Sequence, residues 1–246
     1  MSDSKTLGAR TLIVTPTYNE RSNITEFVQA VRMAAPAADI MIVDDNSPDG
    51  TGEIADELSR NDPQVKVMHR PKKLGLGTAY MQAFRRGLTQ EYERFFEMDA
   101  DFSHDPQYLP AFFEALDDGA DLVLGSRNIP GGRVEGWGAG RHVLSKGGSL
   151  YSRIILGINV SDLTTGFKAF TRRALEAIEL DQVHSNGYSF QVEMTYRALR
   201  KGLRIAEVPI VFVDRRVGQS KMDRKIFIEA VSVVWRLRFD ALRGRV

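Results

Sequence analysis

Hydrophobic positions along this chain form short β-rich or continuous apolar runs, and these alternate with stretches of helical periodicity across short polar loops. Thr11 to Thr15, Ile40 to Val43, Val65 to Met68, Phe95 to Met98 and Leu122 to Leu124 each read as a buried strand. Between the first two, Ser22 or Asn23 is placed to cap a helix running to about Met33, with Glu26 three residues after Asn23 in capping-box position. Further helices are predicted from Asp49-Gly50-Thr51 to about Ser59, from Thr78 to Leu88 and from Pro106 to Leu116. Such alternation predicts an α/β chain with a mostly parallel sheet and helices on both faces. Ligands of such sheets bind beyond the carboxyl ends of the strands.

Two later segments carry patterns of their own. Val208 to Val213 reads as a strand that anchors a basic, glycine-containing loop, Arg215-Arg216-Val217-Gly218-Gln219-Ser220-Lys221, suited to closing over an anion as a lid. From about Lys225 to Arg245 the chain is amphipathic. Lys225, Glu229, Ser232, Arg236, Asp240 and Arg243 form a polar stripe, and Phe227, Val231, Val234, Trp235 and Leu242 are expected opposite it. Packing on the rest of the protein or on a partner is one use for residues 222–246. Lying in a membrane interface, with Trp235 at headgroup depth and Arg236, Arg238, Arg243 and Arg245 toward anionic lipid, is the other.

Composition narrows the function classes. No Pro-, Gly- or Ser-rich linker divides the 246 residues, so residues 1–246 are expected to form one domain. With 33 Lys and Arg against 32 Asp and Glu the formal charge is +1, so no global field favours nucleic acid and anion binding must come from local clusters. The absence of cysteine excludes disulfides, zinc-thiolate sites and thiol nucleophiles. Met-Ser-Asp-Ser-Lys lacks the apolar core of a signal peptide, and no window suits a bilayer span, so a cytoplasmic or membrane-peripheral protein is expected. His69, His104, His142 and His184 lack metal-ligand spacing, and no nucleophile-elbow pattern is present.

The candidate chemistry lies at the strand ends. Pro16-Thr17-Tyr18-Asn19-Glu20 follows the first strand, Asp44-Asp45-Asn46-Ser47-Pro48-Asp49-Gly50 the second, and Asp99-Ala100-Asp101 the fourth, all on one edge of a parallel sheet. If the strand continues extended, Asp99, Asp101 and Ser103 project together. Oxygen ligands on a rigid edge suit Mg²⁺ or Mn²⁺, with diphosphate oxygens and water completing the shell. Gly75-Leu76-Gly77 offers a place for a phosphate, although a lone Gly-x-Gly equally describes a plain loop.

Taken in order, these motifs resemble the family-2, inverting glycosyltransferases of GT-A (Rossmann-like) fold and, more narrowly, the polyprenol- or dolichol-phosphate mannose synthases. The resemblance continues through Gly125-Ser126-Arg127, Trp137 with Arg141, Asp162-Leu163-Thr164-Thr165-Gly166-Phe167-Lys168, Val208-Pro209-Ile210 and the basic loop. It implies transfer of mannose from GDP-mannose to a polyprenyl phosphate such as dolichyl phosphate, at the cytosolic face of a membrane or beside a membrane-anchoring partner protein. It places Pro16, Tyr18, Glu20, Val43 and Asp45 around guanosine, and Asp99, Ala100 and Asp101 at the ribose-diphosphate and metal. Arg127, Lys168, Arg215 and Lys221 are implied to contact the donor. The implied metal ligands are Asp101, Asp99 and Ser103, and some relatives carry Gln or His at the Ser103 position, so water or His104 is the substitute. Asp101, Arg127 and Arg141 are the implied catalytic residues, with Arg141 on the acceptor phosphate. A phosphate acceptor is already anionic at neutral pH, so such a site needs charge management more than a strong general base. A related transferase using UDP-glucose, a sugar nucleotidyltransferase, and a catalytically silent nucleotide-sugar sensor stand as alternatives.

Overall fold

The computed structural model describes residues 6–136, 139–213 and 224–243, with side chains 139–145, 188 and 224–231 outside the description. Strands β1 (Thr11–Thr17), β2 (Asp39–Asp44), β3 (Val65–His69) and β4 (Arg94–Glu97) alternate with helices α1 (Ile24–Ala34), α2 (Thr51–Asn61) and α3 (Leu76–Leu88). After β4 come α4 (Leu109–Asp117), β5 (Leu122–Ser126), β6 (Arg133–Glu135) and α5 (Ala139–Leu156). The chain continues through β7 (Lys168–Thr171), α6 (Arg172–Ile178), α7 (Gly187–Arg200), β8 (Ile205–Pro209), β9 (Val211–Val213) and α8 (Arg224–Leu242).

The main sheet has the order β3-β2-β1-β4-β7-β5-β8. Strands β1 to β4 are mutually parallel where they pair, β5 pairs β8 in parallel, and β7 runs antiparallel between β4 and β5. Successive residues of each strand face opposite sides. Leu12 and Val14 thus join a core formed with α3, α6, α7 and α8, while Ile13 joins a second core with α1, α2 and α4. The sheet is therefore covered on both faces, as the alternating pattern predicts.

Three local expectations change. Asn23 does not cap α1 with its side chain, because its amide instead donates to Glu20 Oε2 at 2.8 Å, and no capping box with Glu26 forms. The helix expected from Pro106 opens as a 3₁₀ turn over Pro106–Tyr108 before α4, with Asp105 accepting from the Gln107 amide at 2.9 Å. The expected strand from Val208 to Val213 is two strands. Pro209 has no amide to continue the ladder, Ile210 turns its amide back to Ser126 O at 3.0 Å, and β9 pairs with β6 in a small second sheet.

Helix α8 departs furthest from its predicted faces. Val233, Val234, Leu237 and Ala241 bury into the core shared with α5 and α7. Trp235 and Leu242, expected beside Val234, lie on the outside with Phe239. The reason is that two apolar stripes share one helix, and the 235, 239, 242 spacing forms the outer one. Phe227 and Val231 lie outside the described side chains. Among the described residues no helix is long and apolar enough to cross a membrane.

Candidate active site

Because β1, β2 and β4 run parallel in adjacent register, their carboxyl ends deliver three loops to one edge. Each loop turns sharply through a non-glycine residue in the left-handed region: Asn19 at φ 63°, Asn46 at φ 57° and Phe102 at φ 61°. Asparagine tolerates that conformation, whereas a bulky side chain does not without support. Phe102 has such support from the edge-on packing of its ring against Phe27, with centroids 6.0 Å apart.

The first two loops are stitched to each other. Asp44 Oδ1 accepts from Thr17 Oγ1 at 3.0 Å and Ser47 Oγ at 2.6 Å, and the Asn19 amide donates to Ser47 Oγ at 3.1 Å. The Glu20 amide donates to Thr51 Oγ1 at 2.9 Å, and Thr51 Oγ1 donates to Asp49 Oδ1 at 2.6 Å. Burial pushes the Asp49 carboxyl up, but hydrogen bonds from Thr51 and the Arg21 amide outweigh it and hold the group below its ordinary value. Pro16 is half-buried and Tyr18 exposed, its ring capped by Lys73 Nζ at 4.4 Å from the centroid. Val43 is fully buried in β2.

Asp45, expected at the base, is paired inside the protein. Its Oδ1 lies 2.6 Å from Arg70 Nε and its Oδ2 accepts from Arg70 Nη2 at 3.1 Å, with both side chains buried. Arg70 also donates to Thr78 Oγ1 at 3.0 Å and so ties the second loop to the start of α3. Burial raises the Asp45 carboxyl above its usual range, against the lowering pull of Arg70. The pattern reading missed Arg70, although its position one residue beyond β3 puts it on the same ligand-binding edge.

The Asp99-Ala100-Asp101 segment is a turn rather than a strand extension, since β4 ends at Glu97. The expected face-sharing of Asp99, Asp101 and Ser103 through strand alternation is therefore corrected. What joins two of them is a local turn: Asp101 Oδ1 accepts from the Ser103 amide at 3.1 Å and from Ser103 Oγ at 2.5 Å. Asp99 Oδ1 accepts from Tyr80 Oη at 3.3 Å, and the Asp99 amide donates to His104 Nδ1 at 3.0 Å. Ala100 and Ser103 are buried while Asp99 and Asp101 are partly exposed, so the carboxylates are what the turn presents. Among the described residues no three His, Asp or Glu side chains form a metal cage. Two partly exposed carboxylates are oxygen donors of the kind that hold Mg²⁺ or Mn²⁺ when substrate phosphates supply further ligands.

Two cations expected on the donor are turned into the protein. Lys168 is fully buried and donates to Gln191 O at 2.6 Å and Thr195 Oγ1 at 2.9 Å, so its ammonium cannot touch a ligand in this arrangement. It stands opposite Glu97 in the β4–β7 register. Burial pulls Lys168 down to about 8 and pushes Glu97 up to about 7. Arg127 forms a buried two-pronged pair with Asp162, Nε to Oδ2 at 2.6 Å and Nη2 to Oδ1 at 2.7 Å, and also reaches Thr164 Oγ1 at 2.9 Å. Burial opposes ionisation of Asp162, yet Arg127 holds its carboxyl below the ordinary value. Arg127 thereby braces the loop bearing Asp162 and Thr164. Arg141 belongs to α5 with its side chain outside the described residues, and Trp137, Arg215 and Lys221 also lie outside them.

Residues 12–179 match the family model described as glycosyl transferase family 2. An undecaprenyl-phosphate mannosyltransferase of Micrococcus luteus is 48% identical over 241 residues, which cover 96% of this chain and 99% of that protein. A polyprenol monophosphomannose synthase of Mycolicibacterium smegmatis is 48% identical over 242 residues, 96% of this chain and 91% of that protein. Among solved structures, glucosyl-3-phosphoglycerate synthase of Mycobacterium tuberculosis with Mn²⁺, UDP-glucose and phosphoglyceric acid superposes with a TM-score of 0.68 at 18% identity, over 94% of this chain and 80% of that one. A mannosyltransferase of Pyrobaculum calidifontis with GDP-Man and Mn²⁺ gives 0.59 at 19% identity, over 95% and 64%. These likenesses agree with the GT-A arrangement of the sheet.

Proposed function

The chain belongs to glycosyl transferase family 2, and on that premise we propose that it transfers mannose from GDP-mannose to a polyprenyl phosphate with inversion at the sugar carbon. The observation that carries this reading is the 48% identity, over 96% of this chain, to proteins named for mannose transfer onto undecaprenyl phosphate and for polyprenol monophosphomannose synthesis. In this reading the loops after β1 and β2 hold the nucleoside, with Pro16, Tyr18 and Glu20 at the base and Val43 and the Asp45–Arg70 pair supporting those loops from inside. Asp99 and Asp101 would hold Mg²⁺ or Mn²⁺, and a divalent cation bound there would supply positive charge to the departing diphosphate. Ser103 orients Asp101 through the two hydrogen bonds already described.

Displacement then needs the lipid phosphate brought to the sugar carbon opposite the diphosphate. An anionic phosphate oxygen needs no strong base to activate it, so the protein's task is to hold two anions close together. We assign Arg141 to the acceptor phosphate, where a guanidinium contributes a two-donor fork. Arg215 and Lys221 in the basic loop are assigned to the donor diphosphate.

The lipid reaches this edge from a membrane surface. The outer sides of α5 and α8 expose Leu150, Ile154, Trp235, Phe239 and Leu242, from 43% exposed at Trp235 to 70% at Leu242, with Arg153 and Arg238 on the same two helices and Arg243 just beyond α8. An apolar strip with basic neighbours suits the cytosolic face of an anionic bilayer. Incubation with labelled GDP-mannose and a short polyprenyl phosphate tests the reaction: label is expected in the lipid extract. Label appearing only from UDP-glucose would replace the donor, and label from neither would refute the activity.

A further inference from the structure

We infer that His104 is a positioning residue, holding the main chain of Asp99 so that the Asp99 and Asp101 carboxylates stay aimed at a divalent cation. This rests on the reading of those carboxylates as the cation's protein ligands. The need for such a residue arises from the sheet. Met98 still donates its amide to Val14 O at 3.1 Å, but one residue later the chain has left the ladder. A backbone N–H at that point must find another acceptor. It finds the imidazole five residues on, with the Asp99 amide 3.0 Å from His104 Nδ1. Because Nδ1 accepts, the proton of the neutral ring sits on Nε2.

The ring is fixed by what surrounds it. His104 is 2% exposed, stacks on Phe167 with centroids 5.3 Å apart and planes at 23°, and meets Phe212 edge-on at 6.0 Å. The backbone at Gly166 packs against the ring edge, since a Cβ there would come within 3.2 Å of Cε1, tighter than an ordinary contact. On the carboxylate side Tyr80, fully buried, donates to Asp99 Oδ1 and lies parallel to Phe190 at 6.2 Å. Phe190 in turn presses so close to α3 that a Cβ on Gly77 would be 2.9 Å from its ring. The glycines at 77 and 166 thus leave room for the two aromatic stacks that grip Asp99. That packing accounts for Gly77 without a bound phosphate.

A purely structural ring and a positioning ring predict opposite rankings for two substitutions. His104→Phe keeps the stack and loses the acceptor; His104→Asn loses the stack and keeps an acceptor near the Nδ1 position. Mn²⁺ affinity is measured in the presence of GDP by the electron-spin resonance of free Mn²⁺, with thermal midpoints alongside and Asp101→Asn as the benchmark. The expected result is an affinity about tenfold weaker in His104→Phe, as for other outer-shell partners of metal ligands, and within about threefold of wild type in His104→Asn. Thermal stability is expected to rank the two variants the other way. If His104→Phe does not fold, His104→Leu decides in its place, since it also removes the acceptor for the Asp99 amide, and about tenfold weaker Mn²⁺ binding is expected of it. Wild-type affinity in the deciding variant, or an Asn variant as weak as the Phe variant, overturns the inference while a weakened Asp101→Asn preserves the ligand assignment. Normal Mn²⁺ binding by Asp101→Asn removes the ligand assignment, and the inference falls with it.

Discussion

At the carboxyl ends of β1, β2 and β4 the carboxylates are each gripped by a neighbour, Asp44 by Ser47, Asp49 by Thr51, Asp45 by Arg70, Asp99 by Tyr80 and Asp101 by Ser103. On the outer side of α5 and α8 the apolar side chains are instead left exposed. The first region suits a polar ligand whose charges are met without rearrangement, because preorganised donors and acceptors need no reorganisation when charge develops. The second suits a fluid apolar medium, which moulds itself to Trp235 and Phe239 and needs no fixed geometry. Rigid polar loops and an adaptable apolar strip are what a water-soluble donor and a lipid acceptor would respectively demand.

The comparison breaks most severely if Arg127 is a ligand contact rather than a brace. Arg127→Met leaves the buried Asp162 carboxylate unpaired, and a loss of about 3–5 kcal/mol in urea unfolding is expected. The double variant Arg127→Met with Asp162→Leu is expected to recover most of that loss. A stable single variant that fails only to bind donor would return Arg127 to the site.

The next effect belongs to Glu97, the buried carboxyl facing Lys168. Its ordinary value of 4.5 is raised to about 7 by burial, so between those values the native state binds the proton that the unfolded chain has released. Stability from this group is therefore lost as pH rises from about 4.5 to 7. Glu97→Gln removes the titration, and the stability of wild type relative to this variant is expected to fall on the order of 2 kcal/mol across that window. A difference that stays flat, or grows in favour of wild type, would show Glu97 ionised throughout.

The smallest effect concerns the strip. Trp235→Ser together with Phe239→Ser is expected to weaken sedimentation with vesicles containing anionic phospholipid by about tenfold or more, given about 1.5–3 kcal/mol for a large side chain moved fully out of water and the partial exposure of these two. The unfolding midpoint is expected to hold, since neither side chain belongs to the buried core. Unchanged vesicle binding would move membrane contact elsewhere on the protein.

How far the sequence discloses this molecule varies by the range of the interactions involved. Strands such as Ile40 to Val43 and the placement of three loops on one edge follow from local periodicity and the parallel-sheet rule, and the structure agrees with both. The shape of the Asp99–Asp101 turn does not follow, because Phe102 takes a left-handed conformation sustained by a ring seventy-five positions earlier, Phe27. The direction in which a cation points was equally hidden. Lys168 and Arg127 face inward because Thr195, Gln191 and Asp162, all distant in sequence or on other elements, wait there. Helix α8 misled for a different reason: a helix with two apolar stripes shows its spacing but not which stripe the core takes.

The central claim is that the edge formed by β1, β2 and β4 binds GDP-mannose through a divalent cation held at Asp99 and Asp101. Calorimetric titration of GDP and UDP, each with Mn²⁺ and with a chelator, into wild type and Asp101→Asn tests it most directly. GDP is expected to bind more tightly than UDP, to lose at least about tenfold in affinity when Mn²⁺ is removed, and to show no Mn²⁺ dependence in Asp101→Asn. Tighter binding of UDP, or GDP binding that ignores both the metal and the substitution, would contradict the account.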